Sequence, residues 1–235
     1  MKRAEAIAAG RTMFPDSVAE PGFSPRSVTL HVKMLKPASQ NSKISHDKNT
    51  VWRAGGFKGM PLYTLTLEER ATCDHGCQAW NMCYGNNMPF ATRFDADEGP
   101  LERGLKAEVE ALARKHPAGF SVRLHVLGDF FSTNYVAFWE WMLEAHPELH
   151  IYGYTHRQGE IRAAVDSVFQ RFPTRFVILQ SDDWDEARPS ALINGLHPDA
   201  ETLPLCPEQS GKADGCLDCG LCTLPNIRGV QFHGH

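Results

Sequence analysis

The feature that most constrains the fold of this 235-residue chain is a regular alternation of helix-like and strand-like segments. Apolar residues recur at helical spacing in three segments, 100–117, 132–147 and 159–173. Strand-like segments rich in β-branched and aromatic residues follow them, at 120–129, 149–157 and 174–183. Strands that alternate with helices form parallel sheets with right-handed crossovers. The alternation therefore predicts an α/β fold.

Two earlier strands are expected at 27–35 and 60–67. Four or five strand–helix units are too few to close an eight-stranded barrel, so we expect a partial (β/α) barrel, or an open sheet, of parallel strands. A Cys-rich C-terminal segment follows it. The expected domains are a basic N-terminal arm with a short strand (1–59), the partial barrel with its cysteine loop (60–200), and the Cys-rich segment with a final strand (201–235).

The composition is that of a soluble globular protein, with 42% hydrophobic and 22% charged residues. No apolar run reaches the roughly 18 residues of a membrane span. The N-terminus lacks the apolar stretch of a secretory signal. We therefore expect a cytoplasmic protein with reduced cysteines and no membrane partner.

Charge is distributed unevenly along the chain. Residues 1–60 carry ten Lys and Arg against four Asp and Glu, whereas residues 61–235 carry fourteen against twenty-four. A basic N-terminal region is compatible with binding to an anionic partner such as nucleic acid. A solvated, loosely ordered arm is the simpler interpretation of the same charges.

All seven cysteines fall into two groups. The first comprises Cys73, Cys77 and Cys83, which follow strand 60–67. The second comprises Cys206, Cys216, Cys219 and Cys222. The last three have the Cys-x-x-Cys-x-x-Cys spacing of bacterial ferredoxins, and Cys206 precedes a proline.

Three thiolates on a 4Fe–4S cluster leave one iron without a protein ligand, whereas four thiolates complete a cluster. The two groups therefore predict one open and one closed cluster. Zinc is the alternative metal for both groups, and His75 could complete a tetrahedral zinc site in the first.

In parallel α/β folds, sites lie at the carboxyl ends of the strands. Four loops are expected on one rim: the cysteine loop, Gly128–Ser132, Thr155–Arg157 and the segment that begins at Gln180. The candidate site residues in the middle two loops are Gly128, Asp129, His156 and Arg157. Weaker candidates are Gln180, Ser181 and Asp182.

Each of these residues also has a purely structural interpretation. Gly128 suits a tight turn, and Asp129 suits the cap of the following helix. His156 and Arg157 could be solvated at the surface. Two candidate catalytic residues, Arg123 and His125, alternate along an otherwise apolar strand and are expected on one face, where they would line the site or be satisfied in the interior.

Four blocks of the sequence resemble the phage-borne gene product 88 family. They are the cysteine loop that ends in Cys83-Tyr84, the segment Arg123–Ser132, the segment Tyr154–Arg157, and the late cysteine triplet followed by Phe232 and His235. Asn41, Lys43 and Lys48 in an N-terminal polar loop also resemble a basic segment of that family. The resemblance indicates architecture rather than a substrate.

A cysteine triplet after the first strand of a partial barrel also resembles the radical S-adenosylmethionine superfamily. That resemblance implies a 4Fe–4S cluster on Cys73, Cys77 and Cys83, whose open iron binds S-adenosylmethionine and whose electron cleaves it. It implies cofactor contacts from the Leu127–Asp129 stretch, and we add Tyr84, His156 and Arg157 to the expected cofactor-binding residues.

The expected function is thus a radical S-adenosylmethionine-type enzyme with an auxiliary cluster, an electron donor and a small-molecule or nucleotide-type substrate. Asp129, His125 and Arg123 are its candidate catalytic residues. The first alternative is a zinc or iron–sulfur protein that binds nucleic acid without catalysis. The second is an electron carrier, although a carrier needs no pocket of the kind predicted at the rim.

Overall fold

A computed structural model describes residues 33–42, 44–74, 76–77, 83, 85, 88, 91–181, 183 and 188–233. Seven strands form one sheet: β1 (Lys36–Pro37), β2 (Leu62–Thr64), β3 (Phe120–Leu124), β4 (Leu149–Thr155), β5 (Phe176–Ser181), β6 (Ser190–Asn194) and β7 (Gly229–His233). The α-helices are α1 (Glu69–Thr72), α2 (Glu98–Lys115), α3 (Thr133–Ala145), α4 (Gly159–Arg171) and α5 (Cys216–Cys219). Short 3-10 turns lie at Ala38–Gln40, Pro198–Thr202 and Leu221–Thr223.

The strands are arranged in the sheet in the order in which they occur along the chain. β1 pairs antiparallel with β2, and β2 to β7 are all parallel. Within the described residues the pairing runs from β1 to β7 without joining these two edges. The predicted α/β fold is therefore confirmed as a mostly parallel sheet that is not closed.

The three predicted helices form close to their expected positions. Ser132 caps α3, as its side chain accepts a hydrogen bond of 3.0 Å from the backbone N–H of Tyr135. The C-terminal turn of α2 carries Arg114 and Lys115, whose charges suit the negative end of a helix dipole. Sequence reasoning missed β6. Of the strand expected at 27–35, residues 27–32 lie outside the described part of the chain, and 33–35 are not in a strand.

Helices α2, α3 and α4 all pack against one face of the sheet. Side chains from β3, β4 and β5 meet the helices there, in a core that includes Leu105, Val122, Trp139, Ile151 and Phe176. The consecutive strand order explains this one-sided arrangement, because every right-handed crossover returns its helix to the same face.

The opposite face, here called the helix-free face because none of the three long helices packs on it, is covered by two chain segments. Residues 38–57 and 206–222 contribute apolar side chains that pack against residues of β2, β4, β5, β6 and β7. Trp52 donates an indole hydrogen bond of 2.8 Å to Ser121 on β3. The N-terminal segment, the sheet and the Cys-rich segment therefore share one core.

The two covering segments also bind each other. The backbone N–H of Arg53 donates to the carbonyl of Leu217 at 2.8 Å, and that of Gly56 donates to the Thr223 hydroxyl at 2.9 Å. Gly220 adopts a φ of +63°, and a side chain there would overlap the carbonyl of Ala54. The Cys-rich segment is thus held closely against residues 53–56.

None of the helices in the described part of the chain combines the length and the apolar character needed to cross a membrane.

Candidate functional site

Asp129 joins the ends of β3 and β4. Its carboxylate accepts hydrogen bonds from the Thr155 hydroxyl at 2.7 Å, the His156 backbone N–H at 2.9 Å and the Phe130 backbone N–H at 2.7 Å. The side chain is buried, and this burial raises its pKa, although the hydrogen bonds oppose the rise. Asp129 therefore fixes the shape of the rim as an internal acceptor.

Arg157 extends this network to the start of the cysteine loop. Its Nε donates to the carbonyl of Phe130 at 2.7 Å, and its Nη2 donates to the carbonyl of Thr72, directly before Cys73. Gln180 donates to the Arg157 carbonyl at 3.5 Å, which brings the end of β5 into the same network. The rim loops predicted to converge are thus connected by hydrogen bonds.

Gly128 is required by packing within the protein. Its φ is +88°, a region that favours glycine, and a Cβ at this position would lie 2.7 Å from both Leu67 Cβ and Thr72 Oγ1. The Asp129 N–H also donates to Thr72 Oγ1 at 3.2 Å. Gly128 therefore allows the β3 loop to lie against α1, at the beginning of the cysteine loop.

A buried ion pair holds the two ends of the cysteine loop together. Arg93 donates to both carboxylate oxygens of Glu69, at 2.7 and 2.9 Å, and each side chain is 1% exposed. Arg93 also donates to the carbonyls of Gly85, Met88 and Ala91. Glu69 lies in α1, before Cys73, and Arg93 follows Cys83. This pair therefore joins the chain that enters the cysteine loop to the chain that leaves it.

The first cysteine group is assembled next to Asp129. Burial raises the pKa of Cys73 well above its usual value, and the charges of Asp129, Cys83 and Cys77 raise it further. The backbone N–H of Gly85 donates to the Cys83 sulfur at 3.4 Å. Cys77 and Cys83 thus lie close enough to Cys73 to act on its pKa, in the loop that follows β2. His75 and Tyr84 lie outside the described residues.

The second cysteine group is assembled under the helix-free face. Burial raises the pKa of Cys216 to about 11 and that of Cys222 to about 12. Neighbouring thiols contribute to these shifts, and Cys206 and Cys219 act on both residues. The N–H of Leu221 donates to the Cys219 sulfur at 3.5 Å. All four cysteines of this group therefore interact electrostatically.

Arg123 lies between β4 and the second cysteine group. Its guanidinium lies over the ring of Tyr154, 5.6 Å from the ring centre, and its charge lowers the pKa of Cys216 against the larger effect of burial. The Tyr154 ring packs edge-on against Phe232 at 5.8 Å. Arg123 is thus on the helix-free face and not among the rim loops.

His125 lies on the other face, so the prediction that it shares a face with Arg123 is wrong. Its ring stacks on Tyr135 of α3, and its Nε2 is 3.1 Å from the Tyr135 hydroxyl. β3 ends at Leu124, and the two-residue alternation of a strand does not continue past that point. Burial lowers the His125 pKa to about 3, so this histidine is a neutral interior group.

The remaining candidates occupy the edge of the rim. His156 is half-buried, and its Nδ1 has no hydrogen-bond partner within the described residues. Ser181 ends β5, and Asp182 lies outside the described residues. Asn41 and Lys48 are described, far along the chain from these loops, whereas Lys43 and His235 are not described.

Among the described residues, no group of three or more His, Cys, Asp or Glu side chains has a geometry that could hold a metal ion.

Sequence reasoning also missed Glu69, Arg93, Thr72 and Thr155, which build the site without being typical ligands. The one sequence feature that pointed to the ion pair is that Glu69 and Arg93, two residues of opposite charge, flank the cysteine loop.

The family model described as gene product 88 matches residues 33–172, more than half of the chain. No curated protein and no solved structure matches the chain. The matched range contains the first cysteine group, the Asp129 network and the Arg93–Glu69 pair, whereas the second cysteine group lies beyond it.

Proposed function

This chain belongs to the gene product 88 family, and we propose that it is an iron–sulfur enzyme of the radical S-adenosylmethionine type. The proposed substrate is a small molecule or a nucleotide-type compound. The observation that carries the proposal is the position of Cys73, Cys77 and Cys83 in the loop that follows parallel strand β2, because Thr72 at the start of this loop bonds to both Asp129 and Arg157.

The topology supports a site at this position. Six parallel strands in chain order, with the long helices on one face, fit a partial (β/α) barrel better than a doubly wound sheet. In such a fold the loops after the strands face one common site. The cysteine loop follows β2, Asp129 follows β3, and Arg157 follows β4, which is the order that a shared site requires.

We prefer a cluster to one zinc ion at the first group because its three cysteines supply one thiolate for each of three irons. Zinc–thiolate bonds of about 2.3 Å hold the sulfurs of one zinc ion within about 4 Å of each other. In a 4Fe–4S cluster each thiolate binds a different iron, so the sulfurs are held farther apart. Three thiolates therefore leave one iron open in a cluster, whereas one zinc ion would need a fourth ligand.

The backbone also suits cluster binding. N–H groups that point at cysteine sulfurs are among the features that adjust iron–sulfur sites, and one such contact is present in each group, at Cys83 and at Cys219. The raised pKa values of Cys73, Cys216 and Cys222 mean that these thiols release protons when they become ligands. Cluster assembly should therefore be favoured at higher pH.

A reduced cluster with one open iron would supply the electron that cleaves the sulfonium C–S bond of S-adenosylmethionine. The chain's own contribution is a fixed rim. Asp129 holds the β4 loop, and Arg157 binds the Thr72 carbonyl directly before Cys73. Among the described residues the His156 Nδ1 beside them has no hydrogen-bond partner. These groups would orient a bound ligand and exclude water from it.

The four cysteines of the C-terminal segment would hold the auxiliary cluster. All four donors are thiols, Cys206 and Cys222 come from different parts of the segment, and residues 53–56 cover it. A complete set of four thiolates leaves no open iron, so this site would transfer electrons or stabilise the fold rather than bind substrate.

The test is iron, sulfide and zinc content of protein purified without oxygen, followed by reduction in the presence of S-adenosylmethionine. We expect close to eight iron and eight sulfide per chain and formation of 5′-deoxyadenosine. Cys77→Ser should remove about half of the iron and all of the cleavage. Cys219→Ser is the matched control, because it should lower the iron content while the first site keeps its cluster.

Two outcomes would overturn the proposal in different ways. Zinc without iron would exclude the radical mechanism and favour a structural or nucleic-acid-binding role. Full iron content with cleavage unaffected by Cys77→Ser would show that the first group is not the reactive site.

A further inference from the structure

Arg157 carries a positive charge at the rim that has no counter-ion in the described part of the chain. Its side chain is half-buried, and the bonds of its guanidinium go to backbone carbonyls rather than to a carboxylate. Asp129 is the acidic side chain of the same network, but its carboxylate accepts from the Thr155 hydroxyl and from two backbone N–H groups instead. A half-buried cation of this kind attracts an anion from solution.

The guanidinium of Arg157 is held with one edge toward the protein. Nε donates to the carbonyl of Phe130 at 2.7 Å, and Nη2 donates to the carbonyl of Thr72. The third nitrogen, Nη1, forms no hydrogen bond within the residues that the structure describes. An arginine has five N–H donors, so three of them are left for a ligand. They form the fork that binds two oxygens of a carboxylate or a phosphate.

The free edge of Arg157 lies where ligands bind in parallel α/β folds. Arg157 follows β4, while its two side-chain partners, Phe130 and Thr72, follow β3 and β2. The guanidinium is therefore at the carboxyl ends of three neighbouring strands, directly before the cysteine loop. Binding sites of such folds form at this end of the sheet.

His156 gives a second observation in the same loop. Its backbone N–H is fixed by Asp129 at 2.9 Å, while its ring nitrogen Nδ1 is buried and has no hydrogen-bond partner among the described residues. Buried polar atoms nearly always have a partner, so this nitrogen is expected to meet a water molecule or a ligand. Two consecutive residues of one loop thus provide a cation and an unused polar atom.

We propose that Arg157, with His156 next to it, forms an anion-binding site at the rim that takes a phosphate or carboxylate group of a ligand. Arg157 binds the anion through its free edge, while the bonds to Phe130 and Thr72 keep that edge in place. The inference deepens the proposed function by naming the charge of the ligand, and it rests on that function for what the ligand does there. The binding itself requires no cluster.

Arg175 is the matched control within the same protein. It is also half-buried, it also has no ion pair among the described residues, and its guanidinium bonds to the carbonyls of Leu143, His146 and Leu149. However, Arg175 precedes β5, at the amino end of the strands, where it binds the last carbonyls of α3. It has the same chemistry as Arg157 but lies at the wrong end of the sheet for a ligand.

The test is a titration of the full-length chain, prepared with isotope-labelled arginine, with inorganic phosphate and separately with acetate. Nuclear magnetic resonance would follow the arginine side chains, and the signal that is missing in Arg157→Lys identifies Arg157. We expect phosphate to shift the Arg157 signal until it saturates and to leave the Arg175 signal in place. This measurement uses the wild-type chain, so it does not depend on how well a variant folds.

Isothermal titration calorimetry would measure the affinities. Arg157→Gln should weaken phosphate binding about tenfold or more, because it removes a charge-assisted, bidentate contact. Arg157→Lys keeps the charge without the fork and should weaken it less. Arg175→Gln should bind phosphate like the wild type. Tighter binding of phosphate than of acetate would identify a phosphate group as the natural occupant, and the reverse order would identify a carboxylate.

The inference is overturned if neither anion shows saturable binding, if Arg157 and Arg175 shift alike, or if Arg157→Gln binds phosphate as the wild type does. Iron content and cleavage of S-adenosylmethionine are separate measurements. Their absence would overturn the proposed function and leave the anion site standing, whereas iron and cleavage without anion binding would overturn this inference alone.

Discussion

Arg93 and Glu69 form a bidentate ion pair in a setting where neither side chain is more than 1% exposed. The pair links α1, which leads into the cysteine loop, to the chain that leaves it. Arg93 also donates hydrogen bonds to three backbone carbonyls of the outgoing chain. The geometry of the first cysteine group therefore depends on a charge pair that contains no cysteine.

Glu69→Gln should destabilise the protein strongly. The amide keeps the shape of the carboxylate but leaves the buried Arg93 charge without its main partner, a change that costs about 3–5 kcal/mol. A carboxylate oxygen of Glu68 lies 4.0 Å from Arg93 Nε and would compensate in part. We therefore expect the free energy of unfolding to fall by about 3 kcal/mol, the lower end of this range. Urea denaturation would measure it.

Arg171→Gln is the control for this ion pair. Arg171 bonds to Glu140 and Glu144 at the surface, where a salt bridge contributes less than about 1 kcal/mol. A loss of similar size in both variants would contradict the special role assigned to the buried pair.

Gly128→Ala should destabilise the protein by more than backbone strain alone. An alanine at positive φ costs about 1–2 kcal/mol. At Gly128 the added methyl group would also lie 2.7 Å from Leu67 and Thr72, which must then move away from the rim. We expect a lower melting temperature and reduced iron content at the first site.

Gly159→Ala separates the two contributions. Gly159 also has a positive φ, of +63°, but no atom lies within 4 Å of an added Cβ. This variant should show the strain alone, with unchanged iron content. Equal losses in the two variants would mean that the contact with α1 contributes nothing.

The parts of the fold that could be predicted are the helices and strands whose apolar residues recur at regular spacing in the sequence. Helices α2, α3 and α4 carry apolar residues at helical spacing, and the strands between them are apolar and short. The short strand β6 was missed because Ser190–Asn194 contains few β-branched or aromatic residues and no helix pattern precedes it. Periodicity also predicted that the rim loops converge, since parallel strands bring their carboxyl ends together.

The parts that could not be predicted are contacts between residues far apart in the chain. Nothing in the local pattern pairs Arg93 with Glu69, or places the C-terminal cysteines against residues 53–56. His125 illustrates a second limit. Its face was predicted from strand alternation, but β3 ends one residue earlier, and the ring turns to Tyr135. A pattern identifies a face only while the strand continues.

His125 should make the folded protein less stable at acid pH. Its pKa is lowered from 6.5 to about 3 in the folded state by burial, so the unfolded chain binds a proton first. Above pH 6.5 His125 is neutral in both states and does not lower the free energy of unfolding. As the pH falls from 6.5 toward 3, that free energy decreases by about 1.4 kcal/mol per pH unit.

The measurement is the free energy of unfolding of wild type and His125→Gln between pH 7 and pH 4. Gln is uncharged throughout and can still bond to the Tyr135 hydroxyl. The difference between the two proteins removes the effects of His150 and Asp129, whose pKa values are also shifted by burial. A difference that is independent of pH would contradict the buried, neutral state of His125.

Loss of the C-terminal cluster should loosen the N-terminal segment as well as its own. Leu217 accepts from the Arg53 N–H and donates to the Ile44 carbonyl, and Thr223 accepts from the Gly56 N–H. Because Leu217 lies between the proposed ligands Cys216 and Cys219, and Thr223 follows Cys222, these bonds depend on the cysteine segment. In Cys219→Ala we expect faster hydrogen exchange at Arg53, Gly56 and Leu217, with β3 and β4 still protected. Cys77→Ala, which changes only the first group, should leave these amides at the wild-type rate, and faster exchange in this control would show that both sites support one cooperative unit.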